Sequence, residues 1–344
     1  MTIAPQVKSL LRDTYGRVAR DLRVSLTDRC NLRCSYCMPA EGLPWLPGPE
    51  ILTDAEVVDL VGIAVERLGV RKVRLTGGEP LLRPGLAGII EAVRALTTDL
   101  LEPPEVSLTT NGVTLARRLD ALVSAGLQRV NVSLDSLDRQ RYAALARRDR
   151  LPQVLDGIAA ADASGIRPVK INTVVMRGVN EVDVLPLAEF CLTRGYELRF
   201  IEQMPLGPRH GWDRSAMVTA EEILARLQAE FALQPAPARG AAPAEDWLVE
   251  SRDGEPLGRI GVIASVTRPF CGACDRTRLT ADGQVRNCLF SHTETDLRTP
   301  LRAGAAAADL AEAWIGAHWR KAPGHGIDEA GFEPPARTMS SIGG

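Results

Sequence analysis

Two rhythms of apolar residues alternate along the first two hundred positions. Short apolar-dominated runs recur at 22–27, 72–76, 105–110, 129–134, 169–176 and 197–201, each about the length of a strand. The run at 129–134 alternates clearly between polar and apolar, as a strand does. Between these runs lie longer segments with helical spacing. The first begins at Thr53-Asp54-Ala55-Glu56, a capping box, and should end near Gly69. Further helices are predicted over 84–96, over 114–125 with Gly126 as stop, over 152–164 capped by Gly165, and over 185–194. Strands alternating with helices predict an α/β fold built on a parallel sheet. A complete eight-fold barrel takes about 250 residues and these six units use only about 180, so the expected architecture is an incomplete (β/α)6 TIM-like barrel. Turn signals close several of the strands, at Gly77-Gly78-Glu79-Pro80 and at Asn111-Gly112. That edge of a barrel carries the active site.

Beyond residue 230 the pattern changes. Residues 231–246 are rich in Ala and Pro and read as a flexible connection or variable loop. Strand-like runs at 247–251 and 259–266 and an Ala-rich helix at 303–314 follow. The chain is therefore expected to divide into a barrel over 1–230 and a C-terminal region over 231–344. Hydrophobic residues at 45% and charged residues at 24% fit a globular protein with a sizeable core. The formal net charge of −2 gives no global positive field, which argues against nucleic acid and requires any anionic ligand to be held by a local basic cluster. Residues 1–16 hold no apolar leader core and no run approaches a membrane span, so a cytoplasmic protein with no membrane partner is expected.

Seven cysteines change the picture most. Six form two triads, Cys30, Cys34, Cys37 and Cys271, Cys274, Cys288; the seventh, Cys191, falls on an apolar helix face and is expected to be an inert core thiol. An odd count in a chain with no leader favours metal ligation over disulfides. The first triad has the spacing C-x3-C-x2-C, and clustered thiolates call for a soft metal. A four-iron cluster held by three cysteines keeps one iron open for another ligand. A structural zinc with a distant fourth ligand is the alternative. The second triad, C-x2-C-x13-C, leaves that alternative open more widely, because His292 follows Cys288 at finger-like spacing. Arg276 and Arg278 follow directly, in a segment read as a turn, and guanidinium groups match phosphate oxygens. Arg23, Arg74 and Lys170 each interrupt apolar strand sequence. Barrel strands are usually buried on both faces, so these charges need partners, unless they snorkel to water or meet carboxylates.

The stretch from Arg20 to Cys37, with Tyr36 inside the triad, closely resembles the radical-SAM family. With C-x2-C-x-R-x-R…C downstream and Gly-Gly at the end, the chain resembles the MoaA-type GTP 3′,8-cyclases of molybdenum cofactor biosynthesis, from Arg20 to about Phe290 plus the tail. The resemblance implies a [4Fe–4S] cluster at each triad. The first would cleave S-adenosylmethionine (SAM) and the second would hold the guanine of GTP. The deoxyadenosyl radical would take hydrogen from ribose C3′, and attack on C8 would give (8S)-3′,8-cyclo-7,8-dihydroguanosine 5′-triphosphate. SAM contacts are implied at Tyr36, Gly78, Ser133 and Met204. GTP contacts are implied at Arg23, Arg74, Thr109, Lys170, Arg276, Thr277 and Arg278, and a triphosphate would account for several inward cations together. Gly343 and Gly344 would reach into the catalytic cavity. An external electron donor, a downstream cyclic pyranopterin monophosphate synthase and a monomer or homodimer are further implications. A peptide-modifying radical-SAM enzyme is the rival, but such enzymes usually carry more cysteines downstream than the three found here after residue 200. A non-catalytic electron carrier or zinc module would leave the Gly-Gly-Glu-Pro turn and the strand cations without a role.

Overall fold

Six βα units carry the chain from residue 21 to 202 in the computed structural model, which describes residues 9–207 and 212–343. The strands are β1 (Asp21–Ser25), β2 (Lys72–Thr76), β3 (Glu105–Thr110), β4 (Arg129–Ser133), β5 (Val169–Val175) and β6 (Glu197–Glu202). Each pairs in parallel with the next. The helices are α1 (Asp54–Gly62), α2 (Leu86–Arg94), α3 (Leu115–Ser124), α4 (Arg139–Ala146), α5 (Leu151–Ala163), α6 (Val184–Arg194) and α7 (Ala220–Gln228). The capping box at Thr53 and Glu56 is formed in both directions, which satisfies two of the orphan N–H groups at the start of α1.

Strand alternation is what makes the interior usable. Leu22 and Val24, Val73 and Leu75, Val130 and Val132, Leu198 and Phe200 are fully buried in the apolar core. Residues on the opposite face, Arg23, Arg74, Ser133, Asn172 and Arg199, point to the inside of the curved sheet and line its cavity. The two faces therefore differ in chemistry, and the strand cations Arg23 and Arg74 lie on the inner one.

The region beyond 230 joins the same sheet at both edges. Its strands are β7 (Ala232–Pro235), β8 (Glu245–Glu250), β9 (Pro256–Ile263), β10 (Arg276–Leu279), β11 (Gln284–Arg286) and β12 (Thr295–Asp296). β9 runs parallel to β6 and β10 runs parallel to β1, giving the order β12-β11-β10-β1-β2-β3-β4-β5-β6-β9-β8-β7. Eight central strands are thus parallel, but the barrel stays open, since β9 turns outward to β8 and β10 to β11. Helices α8 (Arg298–Arg302), α9 (Ala307–Trp319) and α10 (Met339–Ile342) complete the described residues. A small second apolar cluster of Leu206, Met217, Val266, Phe290, Ile327 and Ile342 seats the tail.

Several expectations need correction. Arg276-Thr277-Arg278 is a strand and not a turn; pairing with β1 gives this short segment the ladder its local sequence does not advertise. Residues 232–235 within the Ala/Pro-rich segment form edge strand β7, where Pro235 is tolerated because one side of an edge strand needs no N–H. The Ala-rich helix runs over 307–319, later than the predicted 303–314. The strand before it and α4 and α7 were not anticipated, although Thr219 and Glu222 cap α7 with the same box as α1.

Candidate active site

All six triad cysteines border one cavity of about 280 Å³ at the C-terminal ends of the parallel strands. The first triad lies in the loop after β1. That loop is held from one side by the Gly77-Gly78-Glu79 turn: the Gly78 N–H donates to Thr27 O at 2.7 Å and the Glu79 N–H to Arg29 O at 2.8 Å. A Cβ on Gly78 would lie 2.2 Å from Arg29 O, so the first demand for glycine here comes from protein backbone. From the other side, the Arg33 and Ser35 N–H groups donate to Ala146 O and Leu145 O at the end of α4, each at 3.0 Å. Glu79 is fully buried and accepts from Thr110 Oγ1, the Asn111 N–H and the Leu81 N–H at 2.7, 2.7 and 3.0 Å; burial pushes its carboxyl up to about 7. Burial likewise raises the Cys30 thiol to about 11 and the Cys37 thiol to about 12.

The second triad is assembled by the C-terminal strands. Cys271 and Cys274 flank a single turn after β9, β10 follows at once, and Cys288 comes just after β11. Arg17 Nη1 donates to Cys271 O at 2.7 Å. Cys274 differs from the other thiols: burial works against its thiolate, but the Lys321 ammonium and the Arg276 guanidinium outweigh burial and lower its pKa. Lys321 Nζ lies 3.4 Å from Cys274 Sγ. His292, the candidate fourth zinc ligand, is exposed and meets Glu333 O at 3.1 Å; it does not line the cavity. Among the described residues no three His, Cys, Asp or Glu side chains are arranged to hold a single metal ion. The all-thiol donor set of each triad fits an iron–sulfur group, and at the second triad a buried cation against one sulfur with a guanidinium alongside suits an anionic one.

Of the other predicted residues, Tyr36, Gly78, Ser133 and Met204 line the cavity, as do Arg23, Arg74, Thr109, Arg276 and Arg278. The Tyr36 hydroxyl donates to Asp135 Oδ2 at 2.8 Å. Three described residues do not line it: Lys170, Thr277 and Gly343, which sits against Ser25 and Thr76. Lys170 faces inward but is paired with Glu197, one step nearer the start of the strands. Thr277 points to the outer face of β10, where its hydroxyl accepts from Trp314 Nε1 at 3.0 Å; alternation puts it opposite Arg276 and Arg278. Arg278 also donates to the Gly343 carbonyl, and to Ile342 O at 3.4 Å, so it is engaged by the tail. Gly344 lies outside the described residues.

The cavity is strongly cationic. Arg23, Arg74, Arg199, Arg276 and Arg278 converge on it, and Nε of Arg23, Arg74 and Arg276 has no hydrogen-bond partner among the described residues. Burial, then the charges of Arg276, Arg74 and Arg278, push the Arg23 pKa well down, with Asp21 alone opposing. Asp21 Oδ2 stands 4.0 Å from Arg74 Nη2. Five converging arginines, three of them with an unpartnered buried Nε, fit a polyanionic ligand. Sequence reasoning missed Arg199, although Leu198-Arg199-Phe200 shows the same charge within apolar residues that marked Arg23. Asn111, placed by the sequence at this edge, does line the cavity; Asn172, His325 and Lys321 were missed, and the last two follow a helix end whose position gave no sign that they would reach the triad.

The chain matches the Radical SAM superfamily over residues 24–191 and the Molybdenum Cofactor Synthesis C family over residues 196–327. It is 61% identical to a GTP 3′,8-cyclase of Corynebacterium glutamicum (strain ATCC 13032), over 97% of this chain and 89% of that one. It is 58% identical to a GTP 3′,8-cyclase of Streptomyces coelicolor, over 97% and 96%. Among solved structures, Streptococcus suis SuiB has TM-score 0.58 at 13% identity, covering 91% of this chain and 68% of that one, a likeness of fold.

Proposed function

The chain belongs to the GTP 3′,8-cyclase family of radical SAM enzymes, and on that premise we propose that its cationic cavity binds GTP between two [4Fe–4S] clusters, one at each cysteine triad. The enzyme cyclises GTP to (8S)-3′,8-cyclo-7,8-dihydroguanosine 5′-triphosphate in molybdenum cofactor biosynthesis. The single observation that carries this reading is the convergence of Arg23, Arg74, Arg199, Arg276 and Arg278, three of them (Arg23, Arg74 and Arg276) with an orphaned Nε, on a space bordered by all six cysteines.

When bound, the clusters and SAM supply an electron, open iron corners and the 5′-deoxyadenosyl radical. The chain supplies place and shelter. Cys30, Cys34 and Cys37 hold one cluster and Cys271, Cys274 and Cys288 the other. Tyr36, Gly78, Ser133 and Met204 line the SAM side. Thr109, Arg23, Arg74, Arg276 and Arg278 line the GTP side, and Lys170, paired with Glu197 beside the cavity, contacts the triphosphate only on leaving that pair. Thr277 serves by fixing β10 through the Trp314 hydrogen bond to its hydroxyl and not by contacting GTP. Holding both reactants in one enclosed space turns a bimolecular step into an intramolecular one and keeps water from the radical. We assign the Gly343-Gly344 tail to shaping the site between the clusters; the nearby residues Met339 and Ser340 line the cavity.

We assign residues 1–230 to SAM chemistry and 231–344 to the second cluster and the tail. An external donor provides the electron, and cyclic pyranopterin monophosphate synthase consumes the product. Among the described residues no helix is long and apolar enough to cross a membrane; we place the enzyme in the cytoplasm, as a monomer or homodimer. The test is anaerobic turnover with reductant and SAM: a cyclised dihydro-GTP product forming only when GTP is present supports the assignment. SAM cleavage with no GTP-derived product would assign the cavity to another substrate.

A further inference from the structure

A buried lysine without a carboxylate needs a reason. Lys321 is 3% exposed, and its three N–H donors go to Arg276 O at 2.8 Å, Cys274 O at 3.0 Å and Cys274 Sγ at 3.4 Å. Among the described residues it forms no ion pair with an acid. Desolvating an ammonium without a counter-charge is strongly unfavourable. The sulfur is the one atom among its partners that can carry full negative charge.

The surroundings hold the ammonium in place. Lys321 lies just past the end of α9, its N–H donating to His318 O at 2.9 Å, where the negative end of the helix favours a cation. Arg17 clamps the following turn through Ala322 O at 2.6 Å and Pro323 O at 3.0 Å, and reaches Cys271 O from the same guanidinium. The two segments that carry Cys271 and Cys274 are thus tied to α9 by two cations. The plain alternative is that Lys321 is a strut joining α9 to β10 through its two carbonyl contacts. A strut has no need of the third contact, to sulfur.

We propose that Lys321 is a positioning residue for the iron–sulfur group of the second triad, raising its reduction potential by setting a buried positive charge and an N–H donor against the Cys274 ligand sulfur. Hydrogen bonds to ligand sulfurs and nearby charge are among the factors that set such potentials. A positive charge next to the group favours the state carrying one more electron. This rests on reading the second triad as a cluster site.

The test is a spectroscopically monitored redox titration of full-length, anaerobically reconstituted protein carrying Cys30, Cys34 and Cys37→Ala, so that only the second triad reports. Lys321→Gln keeps an N–H donor and removes the charge; Lys321→Arg keeps the charge. The expected result is a Lys321→Gln midpoint more negative by the equivalent of about a tenfold change in the reduced-to-oxidised ratio, about 59 mV for one electron. Lys321→Arg should stay closer to wild type. A folded Lys321→Gln protein that fails to keep its iron also supports positioning. Lys321→Gln with full iron and the wild-type midpoint overturns the proposal. Loss of the cooperative thermal transition in both variants overturns it as well, making the lysine a strut. If the parent protein itself holds no iron at the second triad, it is the cluster assignment that fails, and this outcome is separate from the others.

Discussion

Replacing Arg23 by Met should make the empty protein more stable and the GTP-bound protein less so. Arg23 has no hydrogen-bond partner at Nε, and burial and three guanidiniums act against its charge, with Asp21 alone in its favour. Replacing buried charges by apolar residues of similar shape is neutral or stabilising by about 1–4 kcal/mol. The cavity opens Arg23 to some water, so about 1 kcal/mol is the appropriate scale. Losing a charge-assisted hydrogen bond to a phosphate should cost about 1.5–3 kcal/mol of binding, or about 10–100-fold in Kd. At a GTP concentration 100 times the wild-type Kd, ligand binding adds about 2.7 kcal/mol to wild-type stability. The variant, with Kd about 10–100-fold higher, would gain only about 1.4–0.4 kcal/mol. The order of the thermal midpoints should therefore reverse when GTP is added. Scanning calorimetry of both proteins with and without GTP, alongside equilibrium dialysis, measures each part. A variant that is less stable when empty and binds GTP with wild-type affinity would refute the reasoning and make Arg23 a structural cation paired with Asp21.

Three more expectations follow from the site and its surroundings. Reconstituted protein should bind about eight irons, and changing Cys30, Cys34 and Cys37 together to Ala should remove SAM cleavage and half the iron, read by iron and sulfide assay; stoichiometric zinc at an intact second triad would defeat the two-cluster assignment. His318 is fully buried with neither ring nitrogen hydrogen-bonded, and burial lowers its pKa from 6.5 to about 3, so the unfolded chain binds the extra proton between those values and stability falls as pH drops below 6.5; at pH 5 the loss is at most about 2 kcal/mol, and His318→Leu should flatten the thermal midpoint between pH 6.5 and 5. Gly343 has φ +68° and a Cβ there would lie 2.8 Å from both Ser25 Oγ and Thr76 Cγ2, so Gly343→Ala should displace the tail and suppress cyclisation while leaving iron content unchanged, with partial rescue by a peptide of the last residues; wild-type product formation would make the tail dispensable.

The six βα units were legible because each strand carries its own apolar row and each turn its own punctuation, as at Gly77-Gly78 or Gly126. The two cysteine triads were legible for the same reason, since each is a short spacing within a local segment. What depended on distant pairing was hidden. Arg276-Thr277-Arg278 became a strand only by lying against β1, and that pairing decided which of its residues enter the cavity. Arg199 was hidden by incomplete use of a visible signal, since the charge within β6 stands out as plainly as Arg23 in β1. Lys321 was illegible for another reason. Nothing in its neighbours indicates that the end of α9 approaches Cys274, because that contact is made across 47 residues.

The pairing of β1 with β10 sets an order of events in the making of the protein. Asp21 finds its neighbour Arg276 only after more than two hundred intervening residues have been synthesised. While the chain is still on the ribosome, β1 has β2 on one side and an unfilled edge on the other, exposed to any strand that can complete it. The last segment made supplies that missing neighbour, the second triad and the tail together. Closing that edge of the sheet and bringing the second triad beside the first are therefore one late step.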